Sequence, residues 1–467
     1  MGPDSPTFAS RESMHVPPRS YGSAKALARR SFVARRLVLP TQAFFHTEGP
    51  GGVLLLISSV VALALANSPW AVPFSHLLEM RLAIEVGGRV LEGDLRELIN
   101  DGLMTVFFYV AGLEIKRELL EGRLSSPRRA ALPVVAALGG MVVPALLYSA
   151  CNVGGPGAVG WGIPMATDIA FSVGILILLG DRVPAPARIF LLALAIADDI
   201  GAIAVIAAFY SRGISWGALG LAAGVLVAIG IMIRGGVRSP LAYFLASLTF
   251  WGAMLGSGIH ATIAGVILGA MTPIRPWFSL YSFERSAVKL MRRFRNALGA
   301  GDFDRAEAIM GQVEELSRGT ESQLDRRLRQ FHPWSSYVVL PLFALANSGV
   351  ALDLGSLARA GSSGITWGIL LGLVVGKPLG IVGFAWLSIR LRVASPPAGA
   401  TWTHLVGVGM VAGIGFTVSL FVTGLAFDDA GQVADAKIGV LVASALAGAL
   451  GYAFLRTQGP GAARDGE

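Results

Sequence analysis

Charge is scarce in this chain: Asp, Glu, Lys and Arg make up 15% of its 467 residues, against roughly 25% in an average soluble protein. With hydrophobic residues at 54% and a mean hydropathy of +0.63, that shortage excludes an ordinary soluble enzyme. Cysteine is nearly absent as well. The single Cys151 can close no disulfide within the chain, so no oxidising compartment is implied. What is abundant is apolar sequence, in runs near the ~20 residues that cross a bilayer. These recur along most of the chain, so the expectation is one polytopic helical domain rather than about three soluble ones. A net charge of +8 could suggest nucleic acid, but basic loops are what a polytopic protein acquires through the positive-inside bias. No nucleic-acid partner is expected.

The 59 Gly and 24 Pro lie mostly inside apolar runs, where neighbouring helices can satisfy the backbone groups they free, so they signal close packing or broken helices. Residues 1–40 are polar and basic and read as a disordered cytoplasmic tail. The Arg29-Arg30 pair in that tail is not followed in order by the apolar core and cleavage site of an export signal. Apolar spans are predicted near 50–67, 95–115, 130–150, 158–179, 186–210, 214–233, 241–257, 259–274, 334–350, 365–389, 402–426 and 433–455. This divides the chain into spans 1–8 over 41–275, an insertion over 276–331, spans 9–12 over 332–456 and a short tail over 457–467. Of the 38 Lys and Arg, 31 fall on the side of the termini and 6 on the other, and Lys377 falls inside a span. The asymmetry puts both termini in the cytoplasm of a bacterial inner-membrane protein. The 276–331 insertion carries helix-like spacing over Glu284–Arg295 and Asp304–Arg318 and reads as a cytoplasmic helical hairpin.

Ionisable groups at bilayer depth are costly and usually face a cavity or a partner. Asp101, Glu114, Asp168, Asp198, Asp199 and Lys377 lie within predicted spans. Asp198 and Asp199 sit mid-way along an apolar helix, and adjacent helical positions point ~100° apart, so one can face an aqueous funnel and the other a neighbouring helix. Two close carboxylates in low dielectric repel, which favours keeping a proton on one of them. A small hard cation could displace that proton, giving exchange of protons for cations; a plain helix-to-helix salt bridge is the competing reading. Asp168 follows Gly162 and Pro164, which weaken the helix there. Gly413 and Gly415 interrupt a second apolar run. Two interrupted helices in corresponding halves point to a transporter of inverted repeats. Lys377 needs a partner or a negative helix end. Asp101, Glu114 and His332 are candidates for a funnel mouth or a pH response, each with a local ion-pair or packing role as the alternative.

Taken together these segments resemble the NhaA family of bacterial sodium/proton antiporters, from about residue 44 to 456. The resemblance is carried by Asn100–Met104, Val110–Leu119, Ala166–Phe171, the Asp198-Asp199 helix, Ser257–Gly265, Leu340–Val350, Gly376–Gly380 and Gly413–Ser419. It implies an all-α polytopic fold of twelve transmembrane helices, with inverted-topology repeats and two interrupted helices crossing near the membrane midplane, an architecture already known for the family. It further implies exchange of sodium, and lithium, for protons in pH and sodium homeostasis, with no cofactor. Asp199 would be the main cation ligand, and Asp198 its proton-carrying neighbour, paired with Lys377 when the ion site is empty. Asp168 and Thr167 would lie at one break, Asp168 offsetting the positive helix ends and Lys377 the negative ones. A stretch around Glu85–Asp94 would pair between two chains as a β-hairpin in a homodimer. The chain departs from the family in its tail, its insertion and Leu328, where many members carry a glutamate, so the family's pH-sensing cluster is not expected intact. A cation channel or a proton-coupled solute symporter is the alternative; symport of an organic anion would need core cations beyond Lys377.

Cysteines placed at Ser282 and near Gln432 in a cysteine-free background are expected to react with an impermeant thiol reagent from opposite sides of the membrane. Labelling from one side would sink the twelve-span arrangement.

Overall fold

Within a bilayer the backbone must satisfy its own polar groups, so apolar sequence of this kind has to be helical. The computed structural model describes residues 49–458 apart from 87–88, 212, 238, 277–279 and 398. The basic tail expected over 1–40 and residues 459–467 lie outside the described residues. Six helices among the described residues are long and apolar enough to cross a membrane: α3 (Leu95–Leu120), α4 (Pro127–Cys151), α6 (Ala185–Phe209), α7 (Trp216–Arg234), α15 (Gly364–Arg390) and α18 (Ala430–Thr457). Three further apolar pairs are bent at short breaks. In the first, α1 (Gly49–Ala66) turns into α2 (Ala71–Leu78) through 117°. In the second a 3-10 segment, Pro156–Met165, meets α5 (Ile169–Leu179) at 43°, and in the third α16 (Trp402–Ala412) meets α17 (Phe416–Ala426) at 43°. Two shorter apolar helices, α8 (Pro240–Leu255) and α9 (Thr262–Met271), lie between α7 and the long polar insertion.

The chain is helical throughout its apolar spans, and one short hairpin stands beside them. Strands β1 (Arg81–Val86) and β2 (Arg89–Asp94) form an antiparallel hairpin with Arg81 opposite Asp94 and Val86 opposite Arg89. The hairpin starts at Arg81 rather than Glu85, and its two strands pair with each other inside one chain. It ends where α3 begins: the Asp94 carboxylate accepts from the Glu97 amide at 2.7 Å, and the Glu97 carboxylate accepts from the Asp94 amide at 3.2 Å. This reciprocal capping box stops the strand and starts the helix.

In the insertion, α10 (Leu280–Gly299) and α11 (Phe303–Thr320) pack on each other through Leu290, Phe294, Ala297, Ala306 and Ile309. The insertion does not end as a separate element. Its last residues already belong to α12 (Gln323–Trp334), which runs through a π turn, Ser335–Val339, into α13 (Leu340–Asn347). Beyond it, a short helix, α14 (Leu354–Ser362), fills the loop before α15, with the Asp353 carboxylate accepting from the Ser356 amide at 2.6 Å. A second π turn, Gly372–Gly376, lies inside α15. One residue separates the end of each of these two π turns from a proline, Pro341 and Pro378, which has no N–H to give to the carbonyl four residues earlier. Widening the turn before the ring is the local solution, and it is common at functional positions.

Lipid is as apolar as leucine, so helices in a membrane associate where small residues let backbones touch. At the crossing of α4 and α15, a Cβ on Gly139 would lie 2.2 Å from the Gly380 carbonyl, and one on Gly380 would lie 2.1 Å from the Gly139 carbonyl. Gly112, Gly265 and Gly269 let α3 and α9 approach in the same way. Gly380→Ala is therefore expected to destabilise the protein by about 1 to 3 kcal/mol, the usual cost of overpacking. Gly383→Ala, three residues on and facing open space, should melt within error of the wild type in the same detergent.

Candidate functional site

Each break in a helix exposes half-helix ends: amide donors with a partial positive charge at one end, carbonyls with a partial negative charge at the other. The second and third bent pairs cross at their breaks, residues 166–168 and 413–415, where the Asp168 amide donates to the Ile414 carbonyl at 2.6 Å. Asp168 serves both positive ends. One carboxylate oxygen accepts from the Phe171 amide of α5 at 3.1 Å, and the other accepts from the amide and the hydroxyl of Thr417 in α17, at 3.0 and 2.7 Å. The negative ends are met by hydroxyls and an ammonium. Thr167 Oγ1 lies 3.0 Å from the Ala412 carbonyl and Ser172 Oγ donates to the Val411 carbonyl at 3.1 Å, both at the end of α16. Ser419 Oγ donates to the Ile163 carbonyl at 2.7 Å. Lys377 Nζ donates to the Met165 carbonyl, the last of the 3-10 segment.

Gly413 and Gly415 make the second break possible through space rather than through unusual backbone angles. A Cβ on Gly413 would lie 2.4 Å from the Leu373 carbonyl, and one on Gly415 would lie 2.3 Å from Ser419 Oγ. Neither has a positive φ.

Against this crossing α6 presents its two aspartates. Asp198 is wholly buried, with Oδ2 2.9 Å from Lys377 Nζ and 2.8 Å from Thr167 Oγ1. Its other oxygen, Oδ1, is sealed from solvent and has no hydrogen-bond partner. Asp199 points elsewhere, as the ~100° step between helical neighbours requires. It is 9% exposed and accepts no hydrogen bond among the described residues. The charges of Asp198, Glu114, Lys377 and Asp168 all act on it. One carboxylate is thus held on one side by a cation and a hydroxyl, and its neighbour is free to take an oxygen-seeking ligand.

Of the other candidates, Glu114 on α3 and His332 on α12 come to 3.8 Å of each other, at a half-buried position. Asp101 lies apart from both, in a π turn, Leu98–Leu103, where its carbonyl accepts from the Thr105 hydroxyl. Leu328 is buried with Leu324 against Val110 and Leu113 of α3. Several groups at the crossing escaped sequence reasoning: Thr417, Ser172 and Ser419, and, beside Asp101, an amide pair in which Asn347 donates to Asn100 Oδ1 at 2.7 Å. For Thr417 a signal existed, since a hydroxyl just after a Gly-x-Gly break sits where a helix start can use it.

Two broken helices crossing at membrane-type sequence, their ends neutralised by fixed side chains beside a carboxylate pair, define a secondary transporter rather than an enzyme. Residues 42–455 match the family Na+/H+ antiporter 1, and the chain belongs to that family. It is 46% identical to the Na(+)/H(+) antiporter NhaA 2 of Sorangium cellulosum over 446 residues, covering 95% of this chain and 93% of that one. It is 45% identical to the Na(+)/H(+) antiporter NhaA of Syntrophobacter fumaroxidans over 427 residues, 90% of each chain. With the NhaA of Rhodopirellula baltica the identity is 46% over 420 residues, 90% of this chain and 94% of the other.

Removing one member of a buried ion pair strands the other and costs about 3 to 5 kcal/mol, whereas removing both leaves no orphan. Lys377→Ala is therefore expected to lower the melting temperature in detergent, and adding Asp198→Asn to recover part of the loss. Strictly additive losses in the double-mutant cycle would mean that the two are not energetic partners, leaving Lys377 as the counter-charge of the Met165 carbonyl end.

Proposed function

We propose that this chain exports sodium, and lithium with it, in exchange for protons by alternating access, with Asp199 as the main cation ligand and Asp198 as its proton-carrying neighbour. Family membership supports the exchange itself. The observation that carries the residue assignment is the unequal state of the two carboxylates: Asp198 is held through one oxygen by Lys377 and Thr167, while Asp199 accepts nothing among the described residues. A small hard cation seeks several oxygen ligands, and Asp199 brings carboxylate oxygens that accept no hydrogen bond among the described residues. Cation and proton then compete for the same oxygens. When the cation binds, protons leave the carboxylates, and when it departs on the other side protons replace it. Lys377 holds Asp198 in the meantime, so that the buried charge is never left alone.

Around this centre, Thr167 and Asp168 with Gly413 and Gly415 serve as the break-and-compensation elements, and Lys377 has a second role at a negative helix end. Glu114, His332 and Asp101 lie on the route or the pH response rather than at the ion. The larger frame of the proposal is twelve crossings arranged as inverted repeats in a bacterial inner membrane. Both termini and the 276–331 insertion lie in the cytoplasm, and the 81–94 hairpin is the contact of a homodimer. The 31 to 6 distribution of basic residues supports that orientation. A channel is not favoured, because the Asp198–Lys377 pair has no exposure at all where a pore would need water.

Sodium-dependent dissipation of a pH gradient in everted vesicles tests the assignment. Asp199→Asn keeps volume and hydrogen-bonding capacity but removes the charge. It is expected to abolish exchange in a protein that still melts cooperatively. Wild-type exchange in that variant would refute the ion site.

A further inference from the structure

Arg96 lies in the first turn of α3, immediately after the β-hairpin, and no ion pair to it is found among the described residues. Its Nε is shut off from solvent and has no acceptor. Of the nearby acids whose side chains are described, Asp94 and Glu97 cap each other's backbone, and Asp101 is a further turn along. The charge that Lys437 of α18 feels most among the described residues is Arg96 itself, another cation. Asp435, two residues earlier and so on a different face of that helix, is taken by Arg359 at 3.2 Å. Two cations therefore lie within electrostatic reach of each other, with no carboxylate paired to either among the described residues, and one has a buried donor unused. Such an arrangement is unfavourable unless an anion completes it.

Arg96 also lines a cavity of about 290 Å³ whose other walls include Ala66, Phe74, Leu78 and Val350. The volume is roughly ten times a water molecule's share of the liquid, so the space exceeds what a simple halide needs. The walls are mostly apolar, and Arg96 is the single charged residue among them. A ligand with an anionic oxygen group and an apolar body meets both requirements. The setting agrees. The cavity sits under the 117° elbow between α1 and α2, where Trp70, Val72 and Leu77 are exposed, as expected of a helix lying at a membrane interface.

We propose that the cavity at Arg96 binds a phosphate oxyanion, donated to by the Arg96 guanidinium, and that an anionic phospholipid headgroup or free phosphate supplies it. Guanidinium suits this ligand because its planar donors match two phosphate oxygens at once. Occupation would brace the α1–α2 elbow against the end of α13, since Gly349 and Val350 form the opposite wall. The site stands apart from the aspartate pair and does not rest on the antiport reading.

Delipidated full-length protein in a neutral detergent provides the test, with thermal melting followed during titration with sodium phosphate at constant ionic strength and, separately, with short-chain phosphatidylglycerol. Arg96→Gln and the charge-retaining Arg96→Lys are run beside the wild type. The expected result is a saturable rise in melting temperature for the wild type. Its apparent affinity should weaken about tenfold in Arg96→Gln, the loss of one charge-assisted bond, and less in Arg96→Lys. A shift with phosphatidylglycerol alone identifies the lipid headgroup as the source; an equal shift with phosphate identifies the free anion. Should Arg96→Gln fail to fold, native mass spectrometry of the wild type and Arg96→Lys reads bound phospholipid or phosphate directly. No shift and no bound phosphate species in the wild type, or the same affinity in Arg96→Gln, would overturn the proposal.

Discussion

Interrupting a helix inside a bilayer leaves backbone groups that neither lipid nor water can satisfy, at several kcal/mol each, and the rest of this structure is arranged around that constraint. Two helices are interrupted, so the problem arises twice, and the solution is shared between them. Asp168 closes the amide ends of α5 and α17 with one carboxylate. Hydroxyls of Thr167, Ser172 and Ser419 lie against carbonyls across the crossing. Met165 is the carbonyl that receives a full positive charge, from Lys377. Because that ammonium is also the partner of Asp198, the need to neutralise a helix end determines where α15 runs, and the need to neutralise the ammonium determines where α6 runs. One side chain thus ties the helix break to the aspartate pair for which ion exchange is proposed.

Such coupling requires helices closer than side chains normally allow. Gly139 and Gly380 put α4 and α15 in backbone contact, and Gly413 puts the second break against the Leu373 carbonyl. The same crowding reaches the aspartate: a side chain at Gly140 would meet Ile381 at 2.8 Å and stand 3.8 Å from Asp198 Oδ1. In a medium that supplies no hydrophobic drive between helices, close packing and polar contacts are the forces available, and here the glycines admit both at one place. The π turn before Pro378 contributes as well, since it sets the facing of Lys377, the first residue after it.

How much of this could be read from residues alone depended on the range of the interaction. Apolar runs are local, and every predicted span has helical structure within it. The two breaks were legible because Gly162, Pro164, Gly413 and Gly415 weaken a helix wherever it packs, and they fall at 166–168 and 413–415. The 117° turn into α2 was not legible: the first predicted span ends at 67, and nothing in residues 68–80 marks a second helix at a steep angle to it. Leu328 shows the same limit. As a leucine in a basic stretch it looked like a lost polar group, whereas it belongs to the apolar stripe that seats α12 on α3. The parts of the site that went unread, Thr417, Ser172 and the Asn100–Asn347 pair, act on partners more than 200 residues away. No spacing rule reports contacts of that separation.

The adjacency of Asp198 and Asp199 is what allows one short sequence to hold a charge and offer one at once. Separated by a full turn, the two carboxylates would face the same neighbours and share the same fate, both tied or both exposed. As direct neighbours they point in different directions, so Lys377 and Thr167 can fix the first without touching the second. Burial alone would favour two neutral acids, and full pairing would favour two inert salt bridges; neither state exchanges anything. The unpartnered Oδ1 of Asp198 marks the balance between them. Buried carboxylate oxygens are seldom left without a partner, and this one is left so beside a second carboxylate that accepts nothing among the described residues. Asymmetric pairing, rather than the mere number of acids in the core, is therefore the property on which the exchange proposed for the α6 pair rests.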